Sequence, residues 1–165
     1  MINNKEKKFL KNNDLPSISV IVPTLNCDKF LNICLDSIII QDYPKEFIEI
    51  LIIDGGSTDN TVEVAKKYTD KIYNNPLKTG EAGKAIGVKN AKNELIALID
   101  SDNILPDKNW FLEMTKPFLE DSNIIGSEPL EYTYRKSDGF ITRYCALMGM
   151  NDILCLFIGN YDRFC

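Results

Sequence analysis

The chain has 165 residues, 44% apolar and 26% charged, with seven prolines and nine glycines, the profile of one soluble globular domain. Nineteen basic against 24 acidic residues leave a formal charge of −5, which argues against a nucleic-acid backbone as partner. Histidine is absent, so Ser-His-Asp and Cys-His catalysis, HExxH zinc sites and every imidazole proton transfer are excluded.

Residues 1–16 read as a polar leader whose basic stretch, Lys5–Lys11, is solvated. Met1–Asn13 is too polar for a secretory signal. Residues 17–165 read as one domain. The first strong element is the run Ile18–Val22, β-branched and ending at Pro23. Phe30, Leu31, Cys34, Leu35 and Ile38 then recur at helical spacing and form one apolar stripe. Phe47–Ile53 is a second strand ending at Asp54, followed by Ser57-Thr58-Asp59, which suits a helix start, and a weaker stripe of Val62, Ala65 and Thr69. Glu81–Lys92 is a third helical stretch, and Leu95–Ile99 a third strand ending at Asp100. Near-continuous apolar strands alternating with helices predict a mostly parallel sheet, buried on both faces between helices, a three-layer α/β/α sandwich.

Beyond this point Trp110–Leu119 predicts a helix, Ile124–Tyr134 one or two strands broken at Pro129, and Gly139–Met150 a further helix. The late apolar run Ile153–Ile158 is far shorter than the ~20 residues that a membrane span needs. The five cysteines are odd in number and contain no CxxC pair, so they read as reduced thiols in a cytosolic compartment rather than zinc ligands or disulfides. A cytoplasmic protein is expected, with a peripheral seat at the inner face of a membrane compatible with the same features.

In open α/β sheets ligands bind beyond the carboxyl ends of the strands. Three strand ends therefore carry the chemistry: Pro23-Thr24-Leu25-Asn26, Asp54-Gly55-Gly56-Ser57 and Asp100-Ser101-Asp102-Asn103. Asp100 and Asp102, two positions apart, can aim at one hard cation, Mg²⁺ or Mn²⁺, which prefers oxygen ligands and completes its shell with waters and substrate phosphates. Such tripeptides also occur as plain acidic turns. Gly80-Glu81-Ala82-Gly83-Lys84-Ala85 is not a P-loop, because Lys78 stands at the first glycine position and Ala85 follows the lysine. Lys84 can still reach a diphosphate as a point charge.

In combination these motifs resemble the family 2 glycosyltransferases with their GT-A nucleotide-sugar-binding fold. Ser19–Asn26 is similar to the family's opening strand, and Ser37 with Gln41-Asp42-Tyr43-Pro44 to the end of its first helix. Ile53–Thr61 is similar to its second-strand signature, Gly83–Ala91 to its glycine, lysine and asparagine helix, and Leu98–Asp102 to its Asp-x-Asp motif. The likeness runs from about Ser17 to Pro106, over half of the chain.

The resemblance implies a glycosyltransferase that moves a sugar from a nucleotide-diphosphate sugar, a UDP-sugar ahead of a GDP-sugar, to an acceptor hydroxyl with inversion. The acceptor, whether glycan, lipid or protein, is not specified. Pro23, Thr24 and Asn26 would line the base and ribose, Asp54 would sit at the nucleoside, and Lys84 near base or phosphates. Asp100 would meet the ribose, with Ser101 in the same donor set. Asp102, with Asp100, would hold the Mn²⁺ or Mg²⁺ that bridges the diphosphate.

Two features depart from the family. Gly55 follows Asp54 where a second aspartate is common, and no late acid matches the catalytic base. Glu128, Glu131, Asp138, Asp152 and Asp162 are the acids left to serve, so the chain is expected to be the donor-binding portion of a longer enzyme. The alternatives are a nucleotide-binding domain without turnover, or a receiver-like signalling module, which would want paired acids where Pro23-Thr24 stands.

Overall fold

The run that begins after Ser17 forms β1 (Ile18–Thr24), extending through Pro23 rather than stopping before it. A computed structural model describes residues 15–129, 136 and 139–147, in two compact units divided between Lys116 and Pro117. The leader expected over residues 1–16 falls outside these except for Leu15 and Pro16.

In the first unit the order is β1, α1 (Asp28–Ile39), β2 (Ile48–Asp54), α2 (Thr61–Ala65), β3 (Ile72–Asn74), α3 (Gly80–Asn90), β4 (Leu95–Leu98), with α4 (Trp110–Glu120) running across the division. The sheet order is β3-β2-β1-β4 and every pairing is parallel, with Ile18 opposite Ile48 and Leu95, and Thr24 opposite Asp54. Parallel neighbours need crossovers, and α1, α2 and α3 supply them. β3 was not expected from the sequence. Ile72-Tyr73-Asn74 is too short to show a hydrophobic period and gains strand geometry only by pairing with β2.

The alternate positions of β1 and β2 separate two cores. Val20, Val22, Ile50 and Ile52 pack with Leu31, Cys34, Leu35 and Ile38 of α1. Ile21, Leu51 and Ile53 face the other way, with Ile86 of α3 against them. This is the α/β/α layering. Phe30 is a correction to the α1 stripe: it is 59% exposed, one step round the helix from the buried Leu31. The expectation of strands buried on both faces holds for β1 and fails for β4, where Ile96 and Leu98 are exposed while Leu95 and Ala97 pack on the α1 side. β4 is the edge strand of the described sheet, and α3 lies over β1 and β2.

Close approach of α3 to β1 depends on two glycines. A Cβ at Gly87 would lie 2.3 Å from Cγ2 of Ile21, and one at Gly83 would lie 3.0 Å from Cβ of Pro23. Bare backbone at those turns lets the helix sit directly on the strand.

In the second unit α5 (Phe140–Leu147) realises the start of the helix expected over Gly139–Met150, and the Phe140 and Tyr144 rings stack 6.3 Å apart. Residues 124–129 form no strand, against expectation: Gly126 and Pro129 interrupt the apolar run. Residues 130–134 and 148–150, the run Ile153–Ile158, and the acids Glu131, Asp138, Asp152 and Asp162 lie outside the described residues.

Candidate functional site

Because β1, β2 and β4 are parallel, their carboxyl ends open on one edge and bring Thr24, Asp54 and the Asp100–Asp102 turn to the same side of the sheet. Asp54, the last residue of β2, is 7% exposed and its carboxylate is fully engaged. Oδ1 accepts from the Thr24 hydroxyl at 3.0 Å and the Ser57 hydroxyl at 2.6 Å, while Oδ2 accepts from the Gly56 and Ser57 N–H groups at 2.9 and 2.8 Å. A carboxylate that accepts two successive N–H groups beyond itself shapes its own turn. Gly56 takes φ +83° to close it, and Gly55 N–H donates to Thr24 C=O at 2.8 Å. The Asp54-Gly55-Gly56-Ser57 segment is thus a rigid rim.

Asn26 is bound into the same rim. It adopts φ 51°, a left-handed conformation that asparagine tolerates, and its Oδ1 accepts from Thr58 N–H at 2.8 Å while its own N–H donates to the Ser57 hydroxyl. The β1–α1 and β2–α2 loops are therefore clasped together. Asp59 continues the clasp, accepting from Thr61 N–H with one oxygen and Asp28 N–H with the other. The Thr61 hydrogen bonds, then those from Asp28, hold its carboxyl below the usual range. The cap expected from Ser57-Thr58-Asp59 does not form as such: Asn60 precedes α2 and makes no side-chain capping hydrogen bond, while Asp59 closes a turn onto Thr61 N–H one residue earlier.

Lys84 and Asp100 come from elements 16 residues apart and meet as an ion pair, Nζ to Oδ1 at 2.9 Å, with side chains 34% and 55% exposed. Thr79 caps α3, its hydroxyl accepting from Ala82 N–H, which fixes the helix that carries Lys84. Ser101 is half-buried and Asp102 exposed in the turn beyond β4. This turn rests on α1. Cys34 Sγ lies 3.7 Å from Asp100 C=O, and the Ser37 hydroxyl accepts from Leu105 N–H. Gln41, buried, donates to the carbonyls of Ser37 and Asp107 and accepts from Phe111 N–H. Burial raises the Cys34 thiol to about 12, with Asp102, Cys27 and Asp100 adding to it.

All the sequence-derived donor residues, Pro23, Thr24, Asn26, Asp54, Lys84, Asp100 and Ser101, thus lie at or beside one sheet edge, with Asp102 in the same turn. Thr24, Asn26 and Asp54 are more deeply committed to building the rim than their types suggested. Asn75 was missed. It follows β3, is 3% exposed, donates from Nδ2 to Thr79 C=O at 2.8 Å and from its N–H to Asp54 C=O at 2.7 Å. Its Oδ1 has no hydrogen-bond partner among the described residues. Only the three-residue strand before it could have signalled its place.

No group of three or more acidic or thiol side chains is gathered for a metal among the described residues. The donor set at the Asp100–Asp102 turn, two carboxylates on an exposed loop, fits Mg²⁺ or Mn²⁺, which take most of their ligands from water and phosphate.

The model of the family described as "Glycosyl transferase family 2" matches residues 19–146. The chain belongs to that family. The match sets the receiver-like reading aside, and the parallel sheet with its flanking helices is the GT-A fold. Among curated relatives, the poly(ribitol-phosphate) β-N-acetylglucosaminyltransferase TarS of Staphylococcus aureus is 34% identical over 93 residues, 53% of this chain and 16% of that protein. The solved structure of S. aureus TarS 1–349 in complex with UDP superposes with a TM-score of 0.54 at 29% identity, covering 63% of this chain and 32% of that one. The mannosyltransferase PcManGT of Pyrobaculum calidifontis, solved with GDP-Man and Mn²⁺, gives a TM-score of 0.53 at 25% identity over 58% of this chain and 30% of that one. The chain spans well under two thirds of these proteins.

Proposed function

We propose that this chain carries the donor side of a metal-dependent glycosyltransferase, moving a sugar from a nucleotide-diphosphate sugar to an acceptor hydroxyl with inversion. The observation that carries the reading is the meeting of Lys84 and Asp100 at 2.9 Å on the edge where Asp54 and Asp102 also emerge. Residues from 17 onward form the transferase domain in this reading. A UDP-sugar is favoured over a GDP-sugar, supported by the TarS complex with UDP at 29% identity against 25% for the GDP-mannose enzyme.

Within the site, Pro23, Thr24 and Asn26 form one wall against base and ribose, and Asp54 holds that wall in shape through its four hydrogen bonds. Lys84 faces the diphosphate, Asp100 and Ser101 the ribose side. Asp102, with Asp100, would hold Mn²⁺ or Mg²⁺, which supplies Lewis-acid neutralisation of the leaving diphosphate. A cytoplasmic setting belongs to the proposal, supported by five cysteines without a CxxC pair. No described helix is long and apolar enough to cross a membrane.

The test is calorimetry of the full chain with UDP and with GDP, each with and without Mn²⁺, repeated on Asp102→Asn. UDP binding strengthened by Mn²⁺, with that gain lost in the variant, is the expected result. Unchanged Mn²⁺ dependence in Asp102→Asn would remove Asp102 from the metal site, and no binding of either nucleotide would overturn the donor reading.

A further inference from the structure

Two carboxylates two residues apart on an exposed turn would attract a divalent cation whether or not a nucleotide were present. The structure answers that attraction with Lys84, whose ammonium lies 2.9 Å from Oδ1 of Asp100. We infer that Lys84 is a place-holding counter-ion for Asp100, released by the nucleotide diphosphate, so that cation binding is coupled to donor binding. This rests on the donor-site reading above.

The geometry suits an exchange. α3 is seated firmly, with Gly83 against Pro23 and Gly87 against Ile21, so the Lys84 backbone is fixed while its long stem remains free to swing. Both partners are substantially exposed, which keeps the pair weak, about 2- to 5-fold in its equilibrium. A diphosphate offers the ammonium several anionic oxygens in place of one, and charge-assisted bonds to them are the stronger. As Nζ moves to phosphate, Asp100 loses its counter-ion and the positive charge beside the turn moves away. The carboxylate is then available beside Asp102. Linkage makes the effect reciprocal: whatever the nucleotide adds to cation affinity, the cation adds to nucleotide affinity.

The experiment titrates Mn²⁺, read by electron paramagnetic resonance, into the full chain with and without UDP, using wild type, Lys84→Met and Lys84→Arg. Lys84→Met should bind Mn²⁺ alone about 2- to 5-fold tighter, the strength of the exposed ion pair that the cation no longer has to displace. The gain that UDP confers on Mn²⁺ affinity should shrink by the same factor, while Lys84→Arg behaves as wild type. Lys84→Gln, likewise uncharged, should repeat the Lys84→Met result, and it decides the matter should Lys84→Met melt early. Unchanged or weaker binding of Mn²⁺ alone by Lys84→Met overturns the place-holding role. If wild type shows no UDP-dependent Mn²⁺ binding, it is the donor-site reading that fails; normal coupling with no Lys84 effect defeats this inference alone.

Discussion

Thr24 and Asp54 stand opposite each other at the carboxyl ends of the parallel β1–β2 pair, and the Thr24 hydroxyl donates to Asp54 Oδ1 at 3.0 Å. The two strands that frame the site are thus tied side chain to side chain where their backbones part. Asp54→Asn keeps the volume but turns one accepting oxygen into a donor, leaving hydrogen bonds of the turn unmade in a buried place. The expected cost is about 1–3 kcal/mol. At this chain length that lowers the melting temperature by roughly 2–4 °C per kcal/mol. UDP affinity should fall with it, since the rim loses its shape. Thermal unfolding and calorimetry on the same preparation check both, and a variant as stable as wild type would refute the four-bond account of the turn.

Gln41 supports the acidic turn from behind. Its amide satisfies the Asp107 carbonyl and the Phe111 N–H in a buried position, joining α1 to the segment that follows Asp102. Gln41→Leu fills similar space and removes the side-chain partner of three backbone groups, the Ser37 and Asp107 carbonyls and the Phe111 N–H, a cost of about 3 kcal/mol or more. Denaturant unfolding should show that loss, and Mn²⁺–UDP affinity should drop although Gln41 is far from being a ligand. Gln41→Glu, which can still accept from Phe111 N–H, should recover part of both.

What the sequence disclosed depended on how local each signal was. β1 and β2 announce themselves because Ile18–Val22 and Ile50–Ile53 need apolar neighbours on both sides, and the places of Thr24 and Asp54 at the strand ends follow from that. β4 misled because Ile96 and Leu98 are as apolar as buried residues yet are exposed on the edge strand of the described sheet. β3 was hidden because three residues carry no period, and Asn75 was hidden with it. The Lys84–Asp100 pair joins a helix to a strand end, and only tertiary packing through Gly83 and Gly87 decides where that lysine arrives. Asn26 and Asp54 were legible as site residues, but their hydrogen bonds to Thr58, Gly56 and Ser57 required coordinates.

At the opposite edge of the sheet, Glu49 sets an acid limit. Burial would raise its carboxyl, but Lys71 at 2.5 Å, the Ser19 hydroxyl and the Lys92 N–H outweigh that and bring it down to about 2 from the ordinary 4.5. A folded-state value below the unfolded one adds stability above pH 4.5, and that stability is lost as pH falls from there towards 2. Lys71 is 43% exposed, so solvent screening reduces the contribution to about 1–2 kcal/mol. Glu49→Gln should therefore be less stable at pH 7 and show a shallower loss of melting temperature between pH 5 and 2. Parallel pH profiles for the two proteins would contradict this.

Cys34 and Cys27 should differ sharply towards a thiol reagent. Cys34 is fully buried beneath the Asp100 carbonyl, and its thiol, pushed up to about 12, has almost no thiolate at pH 8. Cys27, at the start of α1, is half-buried. Maleimide labelling at pH 8, followed by peptide mass spectrometry, should modify Cys27 within minutes and leave Cys34 untouched until denaturant is added. Because Cys34 lies under the turn that carries Asp102, its labelling also reports opening of that turn. Mn²⁺ with UDP should slow labelling of Cys34 further at intermediate denaturant, by the stabilisation that a bound ligand confers on the folded state. Rapid native labelling of Cys34 would show that the turn does not rest on α1 in solution.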